Sequence, residues 1–180
     1  YIVTVGDVTV EQANGGIDQV NSAISWSLST HIENLTLTGS ANSAGNGNSL
    51  ANSINGNAGN NALNGGAGND RIMGGSGNDT INGGDGNDVI NGGIGNDLLN
   101  GGIGNDRIFG STGADRMAGG AGADSFVFTA LSDSTVSTAG RDTISDFSRA
   151  QYDRIDLGAL DANARVAGNQ AFKYLGDSAF

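Results

Sequence analysis

Between Gly65 and Val127 one large apolar residue returns every nine positions, at Ile72, Ile81, Ile90, Leu99, Ile108, Met117 and Phe126. The position before it holds Arg, Thr, Val, Leu or Ser, and the position after it holds Met, Asn, Phe, Ala or Val. One fixed inward side chain between two variable outward ones is the mark of a short β-strand with one buried face. The other six positions of each unit are mostly Gly, Asn and Asp, and they read as a six-residue reversal. A strand and a reversal in every unit predict an all-β solenoid: a right-handed parallel β-roll in which two units complete one flattened coil.

The turn positions are as regular as the apolar ones. The units read GGAGNDRIM from Gly65, GGSGNDTIN from Gly74, GGDGNDVIN from Gly83, GGIGNDLLN from Gly92, GGIGNDRIF from Gly101, GSTGADRMA from Gly110 and GGAGADSFV from Gly119. The fourth position is always Gly and the sixth always Asp. Upstream the frame persists as GNSLANSIN from Gly47 and GNAGNNALN from Gly56, with Asn52 and Asn61 where Asp would stand. Gly-rich and Asn-rich composition is also that of a flexible linker. A linker, however, has no reason to keep Asp and an apolar residue in register through successive units.

Composition sharpens this reading. The chain has 180 residues, 32 of them Gly and none Pro or Cys, and a net charge of -11. Such a surface repels nucleic acid and anionic membranes and attracts cations. With no Cys and a single histidine, His31, disulfides, thiolate chemistry and cysteine or multi-histidine zinc sites are excluded. HIEN at His31 is not a HExxH motif, and His31 is expected to be an exposed turn residue; no GxSxG nucleophile elbow occurs. No apolar run approaches the roughly 18–20 residues that cross a bilayer, so membrane insertion is not expected. The N-terminus lacks the order of a signal peptide.

In a two-unit coil, alternate turns fall on the same edge. The Asp residues then form two ladders: Asp70, Asp88, Asp106 and Asp124 on one edge, Asp79, Asp97 and Asp115 on the other. Coils stack about 4.7–4.9 Å apart, and two carboxylates at that distance repel by about 3–4 kcal/mol at an effective dielectric near 20. A cation between them reverses the sign. Two carboxylates and the carbonyls of Gly-rich turns make an all-oxygen cage that suits Ca²⁺ better than Mg²⁺. One apolar side chain per nine residues is also a thin core, so metal binding is expected to supply much of the folding free energy.

The pattern GGxGxD followed by an apolar strand position resembles the RTX nonapeptide repeat of proteins exported by bacterial type I secretion systems. The resemblance implies a roll in which each Ca²⁺ takes carbonyls from positions two and four and the Asp of one turn. The same ion takes carbonyls from positions one and three and the Asp one coil later. Gly66, Gly68 and Asp70 would then share an ion with Gly83, Asp85 and Asp88. Gly75, Gly77 and Asp79 would share one with Gly92, Ile94 and Asp97. Gly84, Gly86 and Asp88 face Gly101, Ile103 and Asp106; Gly93, Gly95 and Asp97 face Gly110, Thr112 and Asp115; Gly102, Gly104 and Asp106 face Gly119, Ala121 and Asp124. That makes about five sites, and up to seven or more if the Asn52 and Asn61 turns take part. Ser111, in place of the second Gly of its unit, keeps its carbonyl. The resemblance further implies a chain that stays unfolded in calcium-poor cytosol, passes the exporter, and folds in extracellular calcium.

Three regions are expected. Residues 1–46, with alternating Ile24, Trp26 and Leu28 and then ENLTLTG from Glu33, resemble a β-rich inter-repeat element of large RTX proteins. Residues 47–128 are the roll, degenerate over 47–64 and complete over 65–128. Residues 129–180 resemble the β-rich C-terminal cap of serralysin-type proteases, with short strands around Ile144 and Ile155 closing the open end. The cap carboxylates Asp133, Asp142, Asp146 and Asp153 are open to three readings: structural, an extra Ca²⁺ site including Asp133 or Asp142, or a catalytic pair. The whole reads as a non-catalytic, calcium-binding piece of a larger secreted bacterial protein. Its partners would be calcium ions, the type I secretion apparatus, and a covalently attached catalytic domain (protease, lipase or alginate epimerase) or adhesive domain.

Overall fold

The computed structural model describes residues 1–12 and 15–161. The part of the expected cap beyond residue 161 lies outside the described residues. Among those described, sixteen short strands form two parallel sheets and alternate between them after the first strand. In chain order they are β1 (Ile2–Val3), β2 (Gln19–Ser22), β3 (Trp26–Ser27), β4 (Asn34–Leu37), β5 (Ala44–Asn46), β6 (Ser53–Asn55), β7 (Ala62–Ala67) and β8 (Arg71–Ser76). There follow β9 (Thr80–Asp85), β10 (Val89–Ile94), β11 (Leu98–Ile103), β12 (Arg107–Thr112), β13 (Arg116–Ala121), β14 (Ser125–Val127), β15 (Thr143–Ile144) and β16 (Arg154–Asp156). One sheet runs β1-β2-β4-β6-β8-β10-β12-β14-β16 and the other β15-β13-β11-β9-β7-β5-β3. This is the parallel β-roll that the nine-residue period predicts.

The core is a pair of stacked columns, one per sheet. Val20, Leu35, Ile54, Ile72, Ile90, Ile108 and Phe126 lie in register in the first, each fully buried. Leu63, Ile81, Leu99 and Met117 form the second. In the repeats, pairing partners are two units apart, Val89 with Arg107 and Leu98 with Arg116. Stacking like side chains gives each inward residue a partner of the same shape above and below, so a thin core is still close-packed.

The structure corrects the expected turn. Strands β7 to β13 are six residues long and run through the Gly-Gly pair that opens each unit, leaving only three residues, such as Gly77 to Asp79, for the reversal. The first Gly of each unit is therefore a strand residue facing inward. A methyl group on Gly74 would collide with Asp79 Oδ2 and with the carbonyl of Gly92. Glycine stands there to leave room for a folded-back carboxylate.

The N-terminal segment joins the same two sheets, although its spacing is irregular: Gln19 pairs with Asn34 and Asn34 with Ser53. Trp26 is half-buried against the core, and His31 is an exposed turn residue at φ 71°. At the far end β15 pairs with β13 and β16 with β14, each after a longer excursion: Arg116 meets Thr143 and Ser125 meets Arg154.

Candidate metal centre

Each repeat turn places its Asp where the chain leaves one sheet for the other, pointing back into the roll. Asp70, Asp79, Asp88, Asp97, Asp106, Asp115 and Asp124 are all 2 % exposed or less. They fall into the two expected ladders. The backbone N–H of Asp70 donates to Asp88 Oδ1 (2.7 Å), that of Asp88 to Asp106 (2.8 Å) and that of Asp106 to Asp124 (2.9 Å). On the other edge Asp79 donates to Asp97 and Asp97 to Asp115, both at 2.8 Å. One carboxylate oxygen of every Asp thus locks two coils together.

The second oxygen has nothing. Oδ2 of all seven is buried without a hydrogen-bond partner. A buried carboxylate oxygen left unpaired costs several kcal/mol unless a cation meets it, so the atom marks where a charge is wanted. Its surroundings identify the rest of the donor set. A methyl on Gly65 would strike both Asp70 Oδ2 and the carbonyl of Gly83, one coil on. The same pairing of Asp Oδ2 with a position-one carbonyl recurs for Asp79 with Gly92, Asp88 with Gly101, Asp97 with Gly110, and Asp106 with Gly119. These are five juxtapositions, one for each site expected from the sequence.

The other expected ligands lie between the same coils. Methyl groups on Gly84 and Gly86 would collide with the carbonyls of Gly66 and Gly68, and those on Gly93 and Gly95 with the carbonyls of Gly75 and Gly77. Position-three carbonyls are already engaged once. Asp85, Ile94, Ile103, Thr112 and Ala121 accept from the N–H of Gly68, Gly77, Gly86, Gly95 and Gly104 at 2.7–2.9 Å. A carbonyl has two lone pairs, so one remains. Among the described residues no three His, Cys, Asp or Glu side chains converge. A cation here must be held by two carboxylates and backbone carbonyls, a set that fits a hard, oxygen-preferring ion.

Asn52 and Asn61 occupy ladder positions differently. Each accepts from the backbone N–H four residues back, Asn48 at 2.8 Å and Asn57 at 2.7 Å, and donates its own N–H to Asp70 or Asp79. Their amide nitrogens reach the carbonyls of Ile32, Glu33 and Ser43. These neutral rungs have no unmet polar atom and no need of a metal.

A second ladder escaped the sequence reading. The Oδ1 of Asn69, Asn78, Asn87, Asn96 and Asn105, at position five, accepts the N–H of the position-five residue one coil later, at 2.7–2.8 Å. The last two acceptances are from Ala114 and Ala123, beyond which no repeat follows on either edge. The switch from Asn to Ala at the final two units was the signal.

The cap carboxylates extend the Asp ladders. The N–H of Asp115 donates to Asp142 Oδ1 and that of Asp124 to Asp153 Oδ1. Asp153 Oδ2 is taken by Ser148 N–H and Asp146 by the N–H groups of Gly119 and Gly120, whereas Asp142 Oδ2 is buried and unpaired. Asp133 holds its own turn through Thr129 and Ala130.

Burial pushes the carboxyls of Asp70, Asp97, Asp106 and Asp142 up to about 7, and those of Asp79, Asp88, Asp115 and Asp124 upward as well. Folding without metal therefore favours the protonated form. The stability that protonation contributes is complete below the ordinary carboxyl value near 4 and is lost as pH rises through about 7. In chelator, β-structure should be greater at pH 5 than at pH 8 by circular dichroism; a signal that is flat or grows with pH would contradict this.

A parallel roll with paired carboxylate ladders along both edges defines a structural, metal-binding repeat module, not a catalytic one. Residues 46–134 match the model of the RTX calcium-binding nonapeptide repeat in overlapping four-copy windows, 46–81, 65–99, 73–108, 91–126 and 100–134, and this repeat segment belongs to that family, which binds Ca²⁺ in its turns. No curated protein and no solved structure matches the chain.

Proposed function

We propose that this chain is a calcium-driven folding module of a secreted protein, in which Ca²⁺ between successive turns converts an unfolded chain into the roll. The observation that carries this reading is the row of seven buried, unpaired Oδ2 atoms, five of them beside a carbonyl of the next coil. Bound Ca²⁺ supplies the positive charge; the chain supplies the cage. In this reading the first site joins Asp70, Gly66 and Gly68 to Asp88, Gly83 and Asp85, and four more repeat it up to Asp124. Asp142, with the same unpaired oxygen, continues one edge into the cap, while Asp153 and Asp146 are structural.

A chain that folds only on meeting millimolar calcium remains threadable in the cytosol and becomes rigid outside it. That logic supports passage through a type I exporter and the stabilisation of an attached catalytic or adhesive domain. Among the described residues no helix is long and apolar enough to cross a membrane.

Far-ultraviolet circular dichroism during a Ca²⁺ titration from the chelated state tests the proposal, with Mg²⁺ as control. A cooperative coil-to-β transition is expected at roughly 10⁻⁴–10⁻³ M Ca²⁺, the range of extracellular sites, with none in Mg²⁺. Full β-structure in chelator at neutral pH would refute calcium-driven folding.

A further inference from the structure

The two degenerate units differ from the strict ones at a second position. Their second residue is Asn48 or Asn57, where the seven strict units have Gly or, once, Ser111. In all seven the backbone at that position has positive φ, and at Asn48 and Asn57 it does not. Both asparagines are half-buried and reach across to the turn one coil earlier. Asn48 Nδ2 donates to the carbonyls of Ser29 and Ile32, both at 2.8 Å. On the other edge Asn57 Nδ2 donates to those of Thr38 at 3.2 Å and Ala41 at 3.0 Å. The sequence offsets, nineteen and sixteen residues, are the same on both edges. Each side chain is fixed in turn by its own loop, because Asn48 Oδ1 accepts the N–H of Leu50 and Asn57 Oδ1 that of Gly59, both at 2.8 Å.

A tie between successive turns through carbonyl oxygens is the service a hard cation performs in the proposed calcium cages. Here a neutral amide performs it. The carboxylate position is matched as well. Asn52 Oδ1 lies beside Gly47 and the carbonyl of Gly65 as Asp70 Oδ2 lies beside Gly65 and the carbonyl of Gly83, but Asn52 Oδ1 accepts the N–H of Asn48 whereas Asp70 Oδ2 has no partner. Within residues 19–64 the one buried side-chain atom without a hydrogen bond is Trp26 Nε1. That stretch carries a single carboxylate, Glu33, against eight Asp in residues 65–127. It also buries seven apolar side chains, Val20, Leu28, Ile32, Leu35, Leu37, Ile54 and Leu63, a denser supply than one per nine-residue unit.

We infer that residues 19–64 are a calcium-independent seed of the roll, in which the amides of Asn48 and Asn57 take the place of ions. Each coil of a solenoid contacts only its neighbours, so a coil that is already ordered lowers the cost of adding the next. The seed offers β6 and β7 as edges for β8 and β9, and the N–H groups of Asn52 and Asn61 for Asp70 and Asp79 Oδ1, both at 2.7 Å. Calcium then extends an existing end and does not have to create the first coil. This goes beyond calcium-driven folding, which concerns the turns from Asp70 onward.

Hydrogen exchange of the full chain, read by mass spectrometry of its peptides at neutral pH in chelator and in saturating Ca²⁺, tests the inference. In chelator residues 19–64 should be protected while residues 65–127 exchange as an unfolded chain, and in Ca²⁺ both should be protected. Asn48→Gly with Asn57→Gly, which restores the residue of the strict units, should speed exchange of residues 19–64 in chelator about tenfold or more, since each change removes three hydrogen bonds. Asn87→Gly, in the exposed ladder of the repeats, should leave that stretch unchanged. If the double variant does not form the roll in Ca²⁺, N48G and N57G singly should each give the same effect by a smaller factor. The inference is overturned if residues 19–64 exchange as fast as the repeats in chelator, if the Asn48 and Asn57 variants keep the parent's protection, or if N87G costs as much. Protection of residues 65–127 in chelator would defeat calcium-driven folding instead, and the contrast between N48G/N57G and N87G would still decide whether the amides hold the seed.

Discussion

Gly86→Ala should cripple the roll, while Gly39→Ala should cost only its backbone strain. Both glycines have positive φ, +137° at Gly86 and +82° at Gly39, so strain of about 1–3 kcal/mol is common to both. They differ in what a methyl would meet. At Gly39 nothing lies within 4 Å. At Gly86 the methyl would overlap the carbonyl oxygen and carbon of Gly68, which are backbone and have no rotamer to give way. Relief requires the two coils to part, and that breaks the hydrogen bonds from Gly68 N–H to the carbonyl of Asp85 and from Asn87 N–H to Asn69 Oδ1, both at 2.8 Å. It also displaces the carbonyls of Gly68 and Gly86 from two successive candidate calcium cages. The loss should exceed about 4 kcal/mol, the sum of strain and two broken bonds. In a calcium titration followed by circular dichroism, G86A should need more than tenfold more Ca²⁺ than the parent or fail to fold, and G39A should shift by clearly less. Equal shifts would mean that coil contact at position four is not what demands glycine.

The sequence declared this architecture where its repeats are strict and concealed it where they are not. Ile72 to Phe126 and Asp70 to Asp124 recur at a fixed period, and a fixed period in a coil of fixed size leaves one stacking register. The column of core residues therefore followed from counting. The extent of each strand did not, because Gly-Gly pairs have the composition of a turn; only the folded coil shows that Gly74 pairs as strand and yields its side-chain volume to Asp79 Oδ2. The position-five ladder was hidden for a related reason. Asn suits turns by its local hydrogen bonding, which explains Asn87 without any partner, whereas its contact to Asn105 N–H is eighteen residues away. In the N-terminal segment, pairing offsets vary from Gln19 with Asn34 to Asn34 with Ser53, so Val20 and Leu35 stack in the same column as Ile72 with no period to betray it.

Asp97 offers the sharpest separation of structure from metal binding, because one substitution should move the roll in opposite directions with and without calcium. Its Oδ1 accepts the N–H of Asp79 and its own N–H donates to Asp115, while Oδ2 is buried and unpaired beside Gly110. Without metal, burial holds its carboxyl up to about 7, so at pH 8 the folded chain must carry a buried, uncompensated charge. Asp97→Asn keeps an oxygen for Asp79 and removes that charge; Asn52 and Asn61 already show the fold accepting asparagine on the ladder with every polar atom bonded. In chelator at pH 8, D97N should therefore hold more β-structure than the parent. In saturating Ca²⁺ the order should invert, since Asp97 is shared by the candidate cages with Asp79 and Asp115 and the neutral amide answers neither ion's charge. Asp97→Ala also removes the charge but strands the Asp79 N–H, so it should fall below D97N by about 1–3 kcal/mol in chelator, and below the parent with calcium. Circular dichroism and thermal melts of the three proteins, with and without Ca²⁺, decide it. If D97N melts with the parent in calcium, the Asp ladder is a hydrogen-bonding device and the metal sits elsewhere; if D97N is weaker in chelator too, the buried charge was never a burden to the empty roll.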